Sequence, residues 1–199
     1  MSNSNRTFVK DYLRQSLAAI QAFVDDTALH DQVITMADIV TAAFSARCKL
    51  MIAGNGGSAG DAQHMAGEFI SRLFFDHAPL PALALTTDSS VMTATGNDYG
   101  FEKVFERQVQ GLGFRGDVFL GISTSGKSHN VLIAFEAARK QGLKTLGFTG
   151  AERGPMDELC DVVLHAPSAE TALIQQIHIT SVHLICGLVE RQMFAKAVG

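Results

Sequence analysis

Cysteine is scarce in this chain of 199 residues, which contains only three. Cys48, Cys160 and Cys186 are far apart, and each lies among apolar residues. An odd number of dispersed cysteines does not suit a disulfide framework or a cysteine-rich metal site. We therefore expect buried free thiols in a protein of the reducing cytoplasm.

The chain also lacks an excess of positive charge. It has 16 Lys and Arg residues against 20 Asp and Glu residues, which gives a formal net charge of -4 at pH 7. Proteins that hold nucleic acid through its phosphates need a basic face. Nonspecific nucleic-acid binding is therefore not expected.

Long apolar segments are missing as well. Residues 1–6 are mostly polar, which argues against a signal peptide. No stretch stands out as long and apolar enough to span a membrane, so no membrane partner is expected. A hydrophobic content of 47%, without a linker, a low-complexity tract or a strong repeat, favours one soluble domain over residues 1–199.

Strand and helix patterns alternate along most of the chain. Apolar residues at helical spacing predict two helices in an N-terminal extension, residues 1–47. Strands are predicted near 48–53, 82–86, 117–122, 144–149 and 161–165, and helices near 58–75, 88–95, 101–111, 128–141 and 170–197. This order predicts an α/β fold over residues 48–199, with a doubly wound, mostly parallel five-stranded sheet and a long C-terminal helix.

Two of the predicted strands run into loops rich in glycine and hydroxyl groups. Residues 54–60 read GNGGSAG, and residues 123–128 read STSGKS. Backbone N–H groups in such loops, together with the start of the next helix, favour an anion, and hydroxyls can donate to phosphate oxygens. Both loops follow strands of a parallel sheet, at the edge where ligands bind. The two loops therefore predict a site for a phosphorylated sugar.

The first loop has a competing interpretation as a dinucleotide site. Gly54, Gly56 and Ala59 satisfy the pattern G-x-G-x-x-G/A. That pattern also needs an acid about 20 residues later, at the end of the second strand, to hold a ribose. Asp76 comes before that strand and Asp88 comes too late, so the dinucleotide interpretation is disfavoured.

The second loop could instead be an ordinary helix cap, formed by Ser125 or Ser128. One cap accounts for one serine, whereas this loop carries three serines and a threonine. Phosphate binding is therefore the favoured interpretation.

A set of polar residues that could perform chemistry lies on two predicted helices. His64 and Glu68 are four residues apart, so they share one face of the helix after the first loop. Gln175 and His183, eight residues apart on the C-terminal helix, point to broadly the same side. Such groups can bind a divalent metal or transfer protons. Spacing alone leaves open the alternative of a surface His–Glu pair and structural histidines.

Taken together, these motifs resemble the sugar isomerase (SIS) fold and, within it, the phosphoheptose isomerases. The resemblance rests on GNGGSA at 54–59, DAQHMAGE at 61–68, GNDYG at 96–100, STSGKS at 123–128 and the segment 175–183. These motifs occur in the family's order over nearly the whole chain. The resemblance implies conversion of sedoheptulose 7-phosphate into D-glycero-D-manno-heptose 7-phosphate, the first step toward the heptose of the lipopolysaccharide core.

The resemblance also implies roles for individual residues. Glu68 and His183 match the catalytic pair. The matching zinc ligands, for one ion per subunit, are His64, Glu68, Gln175 and His183. The matching substrate contacts are Asn55, Gly56, Gly57, Ser58, Glu68, Arg72, Asn97, Asp98, Ser123, Thr124, Ser125, Ser128 and Gln175. The family is a homotetramer with active sites between subunits, so Glu68 and His183 need not meet within one chain.

Two features set limits on the resemblance. Where some members carry an acidic residue followed by Arg, this chain has Ala172 and Leu173, and Gln176 replaces a common Glu. One branch of the family is a non-enzymatic replication-initiation factor that binds the initiator protein, and this branch is the alternative function. That branch lacks the C-terminal histidine, so His183 favours the enzyme.

Overall fold

The structure, a computed structural model, describes residues 2–74 and 76–194. In these residues the helices are Ser2–Asp25 (α1), Thr27–Ser45 (α2), Gly57–Ile70 (α3), Ser89–Tyr99 (α4), Glu106–Leu112 (α5), His129–Gln141 (α6), Pro155–Leu159 (α7) and Thr171–Phe194 (α8), with a 3-10 turn at Phe101–Lys103. The strands are Leu50–Gly54 (β1), Ala82–Ala84 (β2), Val118–Ile122 (β3), Lys144–Thr149 (β4) and Val162–His165 (β5).

The five strands form one parallel sheet in the order β2-β1-β3-β4-β5. The order reverses between β1 and β3, and in such sheets ligands bind outside the carboxyl ends of the strands at this switch point. Gly54 pairs with Ile122 at the end of the β1–β3 ladder. The loops at 54–60 and 123–128 therefore start side by side. The parallel five-stranded sheet confirms the predicted fold class.

Helices cover both faces of the sheet. Leu50 and Ile52 of β1 belong to the apolar cluster that includes residues of α1, α2, α3 and α8, whereas Met51 and Ala53 belong to the cluster with α5, α6 and α7. Successive side chains of a strand point to opposite faces, so β1 contributes to both clusters. Because it is buried on both faces, the sheet holds the loops at its edge in fixed positions.

Helix α3 is shorter than the predicted 58–75, since it ends at Ile70. The last residue of that prediction, 75, lies outside the described residues. The chain after α3 is bound instead by Glu190 of α8, whose carboxylate accepts hydrogen bonds from the backbone of Leu73 at 2.6 Å and Phe74 at 2.8 Å. A contact between distant segments thus replaces the last helical turn that local pattern suggested.

The region around residue 100 also differs from its prediction. Helix α4 continues past Gly96 to Tyr99 and ends at Gly100, whose φ of 91° lies in the region that favours glycine. The predicted helix 101–111 is split into the 3-10 turn and α5. The short helix α7 was not among the predicted helices; it begins at Pro155, and proline suits the first position of a helix.

The expectation that no segment is long and apolar enough to cross a membrane was wrong for helix α8. Thr171–Phe194 passes that test by length and composition, with 56% of its most apolar stretch buried inside the fold. The helix packs against α1, α2 and α3. A core helix of a soluble protein has the same properties, and burial against three other helices favours that interpretation. Residues 195–197 of the predicted helix lie outside the described residues.

The cysteines are free, as expected. Cys186 is buried, but Cys48 and Cys160 are only half-buried, so the expectation of burial holds fully for one of the three. Burial raises the pKa of Cys160 and of Cys186 above the ordinary thiol range. These two thiols are therefore protonated and unreactive at neutral pH.

Candidate active site

The turn between β1 and α3 places the first group of polar residues. Gly56 has a φ of 57°, a conformation that side chains rarely adopt, and this turn directs the chain into α3 from Gly57. His64 and Glu68 then lie on one face of α3, with the Nε2 atom of His64 3.1 Å from Oε1 of Glu68. The shared face predicted from their spacing is confirmed.

Helix α8 brings His183 to the same place. The Nε2 atoms of His64 and His183 are 2.9 Å apart, and the rings meet edge to face with centroids 5.0 Å apart. One ligand atom from each of His64, Glu68 and His183 lies within 4.8 Å of the other two. A single chain therefore assembles this cluster, although the resemblance allowed it to form between subunits.

The cluster has the composition and the spacing of a metal site. Imidazole nitrogens and a carboxylate oxygen are ligands that zinc accepts, and such atoms stand about 3.3 Å apart when bonds of about 2.0–2.1 Å are arranged as a tetrahedron. The separations of 2.9 Å and 3.1 Å around His64 are close to that value. The three residues thus fit a divalent cation, and they equally fit a proton-transfer site.

Gln175 lies over the start of α3. A Cβ atom added to Gly57 would stand 2.2 Å from Nε2 of Gln175, far inside a normal contact. Glycine at position 57 is therefore what lets α8 and its amide approach the first loop. The rise of an α-helix separates Gln175 from His183 by about 12 Å along the axis of α8.

The loop at 123–128 gathers its hydroxyl groups. Ser123 Oγ lies 2.8 Å from Ser128 Oγ and 3.4 Å from Ser125 Oγ, and the backbone N–H of Lys127 donates to Ser125 Oγ at 3.2 Å. Ser128 stands at the N-cap of α6, yet its side chain makes no capping hydrogen bond. The arrangement disfavours the cap interpretation and leaves several hydroxyls clustered at a helix start, where an anion is favoured.

A cavity of about 180 Å³ adjoins this loop. Thr124, Ser125 and Lys127 line one side of it, and Gly150 and the first turn of α8 line the other. The same helix therefore borders the cavity at its N-terminal end and carries His183 farther along. The hydroxyl loop and the His–Glu–His cluster are connected through α8.

Two further groups near the site have altered acidity. One carboxylate oxygen of Asp61, on α3, is buried without a hydrogen-bond partner in the described part of the chain, and burial raises the pKa of Asp61 to about 6 against the opposing effect of His64. Burial lowers the pKa of His178 to about 4, although its hydrogen bond to the backbone oxygen of Thr149 acts in the other direction. His178 is thus neutral at pH 7 and structural.

Known proteins resemble this chain over nearly its full length. The SIS domain model matches residues 11–150. The phosphoheptose isomerase of Burkholderia pseudomallei strain 1710b is 50% identical over 196 residues, which cover 98% of this chain and 100% of that protein. The solved phosphoheptose isomerase from Neisseria gonorrhoeae is 38% identical, with a TM-score of 0.86 over 93% of this chain and 98% of that one. The corresponding structure from Francisella tularensis is 32% identical, with a TM-score of 0.87 over 96% and 100%.

The chain belongs to the phosphoheptose isomerase family.

Against that family, the structure brings some of the expected substrate contacts to the site. Gln175 lies against Gly57 at the start of α3, and the hydroxyl loop lies at the cavity that the first turn of α8 also lines. Asn55 directly follows β1, and its side chain is hydrogen-bonded to Asn130 at the start of α6. Ser58 is buried, with its Cβ atom packed against Gly54, so its side chain faces the strand.

Three of the residues that the phosphoheptose isomerase pattern makes substrate contacts are not linked to the His–Glu–His cluster in the described part of the chain. Asn97 and Asp98 are exposed near the end of α4, where the Asn97 amide donates to Asp98 at 2.7 Å. Arg72 is exposed just beyond α3. In the described residues, no hydrogen bond connects these three side chains with the His–Glu–His cluster. Their role as substrate contacts stays a prediction.

The departure from the family pattern at the start of α8 has a structural counterpart. Leu173 is buried in the cluster that α8 shares with α1 and α2, and the Gln176 amide donates to the Tyr12 hydroxyl at 3.1 Å. Both residues therefore serve contacts of α8 with the core and the N-terminal helix.

Sequence reasoning missed two residues near the site, Asn130 and the buried carboxylate of Asp61. Asp61 is the first residue of the motif at 61–68, but no sequence pattern shows that one of its oxygens has no hydrogen-bond partner among the described residues. Asn130 belongs to no motif, because its partner is 75 residues away.

Proposed function

We propose that the protein is a phosphoheptose isomerase, which interconverts sedoheptulose 7-phosphate and D-glycero-D-manno-heptose 7-phosphate. The carrying observation is that α3 and α8 bring His64, Glu68 and His183 together, and that α8 begins at the cavity lined by the loop of clustered hydroxyls. This combination supplies acid–base groups for the sugar and donors for its phosphate. The relatives' names support the enzyme and lend no support to a replication-initiation factor.

The reaction moves hydrogen between C1 and C2 through an enediol. In the direction from ketose to aldose, Glu68 removes a proton from C1 while His183 protonates the C2 carbonyl oxygen. Return of a proton to C2 and loss of the proton on the C1 hydroxyl then give the aldose. Acid–base groups held in place typically contribute about 10²–10⁴ in rate. Because the His64 and His183 Nε2 atoms lie 2.9 Å apart, a proton can also be passed between the rings.

The phosphate end of the substrate is proposed to bind the hydroxyl loop. Ser123, Thr124, Ser125 and Ser128, together with the loop N–H groups, provide donors, and the start of α6 adds its dipole. Binding of this unreactive end holds C1 and C2 at Glu68 and His183, which is the use of remote binding energy for catalysis. Asn55, Gly56, Gly57, Asn97, Asp98 and Arg72 are the proposed sugar contacts.

We also propose that His64, Glu68 and His183 hold one zinc ion, with the amide of Gln175 as a further ligand. The donor set and spacing of the three residues support the ion, whereas Gln175 is included because the family pattern has a ligand there. A zinc ion held there would supply polarisation of the substrate carbonyl. The carboxylate of Glu68 would then be shared between the metal and proton transfer.

The exposed apolar residues of α1 suggest how the subunits assemble, and the free thiols suggest where in the cell the protein works. Phe8, Leu13 and Leu17 of α1 are largely exposed, and large exposed apolar patches mark interaction sites. We propose that these residues lie between the subunits of a homotetramer, in which each chain forms one domain. Free thiols favour the cytoplasm, and the heptose product is proposed to serve lipopolysaccharide-core synthesis.

A turnover assay with sedoheptulose 7-phosphate, with and without a metal chelator, tests these proposals separately. We expect an aldose phosphate product, loss of turnover with chelator, and recovery when zinc is added back. Turnover that is insensitive to chelator would remove the zinc assignment and leave the isomerase. Absence of the aldose under all conditions would remove the isomerase itself.

A further inference from the structure

The two loops that border the site are joined by a pair of side-chain amides. The Asn55 amide donates to Asn130 Oδ1 at 2.9 Å, and the Asn130 amide donates to Asn55 Oδ1 at 3.0 Å. Asn55 is the first residue after β1, whereas Asn130 is the second residue of α6, just after the hydroxyl loop. Asn130 is only 5% exposed, while Asn55 is half-buried.

This amide pair connects the two loops just beyond the point where the hydrogen bonds between β1 and β3 end. The β1–β3 ladder ends with the pairing of Gly54 and Ile122. The hydrogen bonds of the next residue, Ser123, run to β4 and within its own loop. Beyond the ladder, the Asn55–Asn130 amide pair is therefore a direct link between the segment that leads to His64 and the segment that carries the hydroxyls.

The reciprocal arrangement also fixes the Asn55 side chain while leaving it capable of binding. A carboxamide has two N–H groups and two lone pairs on its oxygen. The pairing occupies one of each on Asn55, so one donor and one acceptor remain for a sugar hydroxyl. The plane of the Asn55 amide is set by Asn130, which is itself held by burial in α6.

We propose that Asn130 is a positioning residue: through Asn55 it sets the spacing between the hydroxyl loop and the start of α3, and thereby the place of the reacting carbons relative to Glu68. This inference rests on the proposed isomerase function. A substrate whose phosphate is held by one loop and whose sugar is held by the other needs that spacing. Misplacement of a bound substrate by about 1 Å can lower a rate about 100-fold.

The first test is the substitution Asn130→Ala, with His129→Ala as the matched control, because His129 is exposed at the same helix start. We expect kcat/KM for sedoheptulose 7-phosphate to fall about 10- to 100-fold. Inorganic phosphate needs only the hydroxyl loop to bind, so its inhibition constant should change less than about twofold. If both constants shift equally, Asn130 supports the loop in general and the positioning role is wrong.

The second test asks whether Asn130 acts through Asn55. In a double-mutant cycle, Asn55→Ala with Asn130→Ala should lower kcat/KM no more than Asn55→Ala does alone. Independent, additive losses would overturn the inference.

The third test, Asn130→Asp, keeps the shape and covers the case in which the alanine variant does not fold. As a carboxylate, the new side chain can accept from Asn55 but cannot donate. When protonated it can do both, so the ratio of variant to wild-type kcat/KM should rise as the pH is lowered. A ratio that is constant with pH would contradict the amide pair as the cause. A wild-type protein with no turnover would remove the isomerase proposal and this inference with it, whereas an active wild type with an unaffected Asn130→Ala variant removes the inference alone.

Discussion

Glu68 is the residue on which the proposed chemistry depends most. Its side chain is 20% exposed and lies 3.1 Å from His64, so it can reach both a bound sugar and a cation in the cluster. A carboxylate that binds a metal is a weaker base, because the metal competes with the proton for the same oxygens. The position of Glu68 between α3 and α8 suits either duty.

The substitution Glu68→Gln tests whether Glu68 is needed for catalysis without disturbing the fold. It keeps the shape but removes the base, so we expect turnover to fall about 10²- to 10⁴-fold with the melting temperature nearly unchanged. The control is Glu136→Gln on the exposed side of α6, which should retain full activity. A fully active Glu68→Gln enzyme would refute the assignment of the base.

How far single residues can be predicted depends on where their partners lie. The four-residue spacing of His64 and Glu68 is a property of one helix, so sequence alone predicts their shared face. The approach of His183 depends on how α8 packs, so spacing offered it as one alternative and the family resemblance left open whether it occurs within one chain. The Asn55–Asn130 amide pair follows no spacing rule, since it arises where two crossovers of the sheet meet.

At the scale of elements, the start of α3 and the first turns of α8 are fitted to each other through Gly57. We expect Gly57→Ala to push the Gln175 amide aside, since the new Cβ would stand 2.2 Å from Nε2. Activity should fall at least about tenfold if that amide binds metal or substrate. The matched control is Gly60→Ala in the same helix, where a Cβ meets nothing within 4 Å.

The Gly60→Ala control should be fully active and more stable by about 0.5–1 kcal/mol, because alanine favours the helix. Thermal denaturation and steady-state kinetics of both variants check these outcomes. Equal activity of the two variants would show that the position of Gln175 is unimportant.

The docking of α8 on β4 makes stability depend on pH through His178. Its folded pKa of about 4 is below the ordinary value of 6.5, so the unfolded chain binds the proton more readily. Stability is therefore lost as the pH falls from 6.5 to 4, by about 3 kcal/mol if this residue acts alone. In His178→Gln, the free energy of unfolding measured with denaturant should vary less over this range.

The control for that measurement is His129→Gln, an exposed histidine that should leave the pH dependence of the wild type intact. An unchanged slope in His178→Gln would mean that other groups cause the acid sensitivity.

Element prediction succeeded where the pattern is local and continuous. The five strands are short apolar runs between turn signals, and all five were found within about two residues of their bounds. The end of α3 could not be predicted, because Glu190, more than 110 residues away, binds the backbone that follows it. Helix α7 shows the opposite case, in which a proline begins a helix rather than breaking one.

At the scale of the whole molecule, the N-terminal helix presents an apolar stripe that the described residues leave exposed. Phe8 is 71% exposed and Leu17 67% exposed, and Leu13 lies between them. A second apolar surface lies beside it, lined by Ile20, Val24 and Leu184. Burial of these surfaces between subunits would stabilise the proposed homotetramer.

The substitution Leu17→Glu places a charge in the stripe, so we expect smaller species in sedimentation velocity and a lower melting temperature. Ala22→Glu is the matched control, because Ala22 is exposed on another side of the same helix. A wild-type protein that sediments as a monomer would contradict the proposed assembly, and so would a Leu17→Glu variant with the wild-type mass.

The most direct test of the central claim is the conversion of sedoheptulose 7-phosphate in D₂O, followed by NMR. We predict an aldose phosphate with deuterium at C2, because the partly exposed Glu68 carboxyl exchanges its proton with solvent before returning it. An acid–base isomerase at this site would be contradicted if no aldose forms, or if the aldose that forms carries no deuterium at C2.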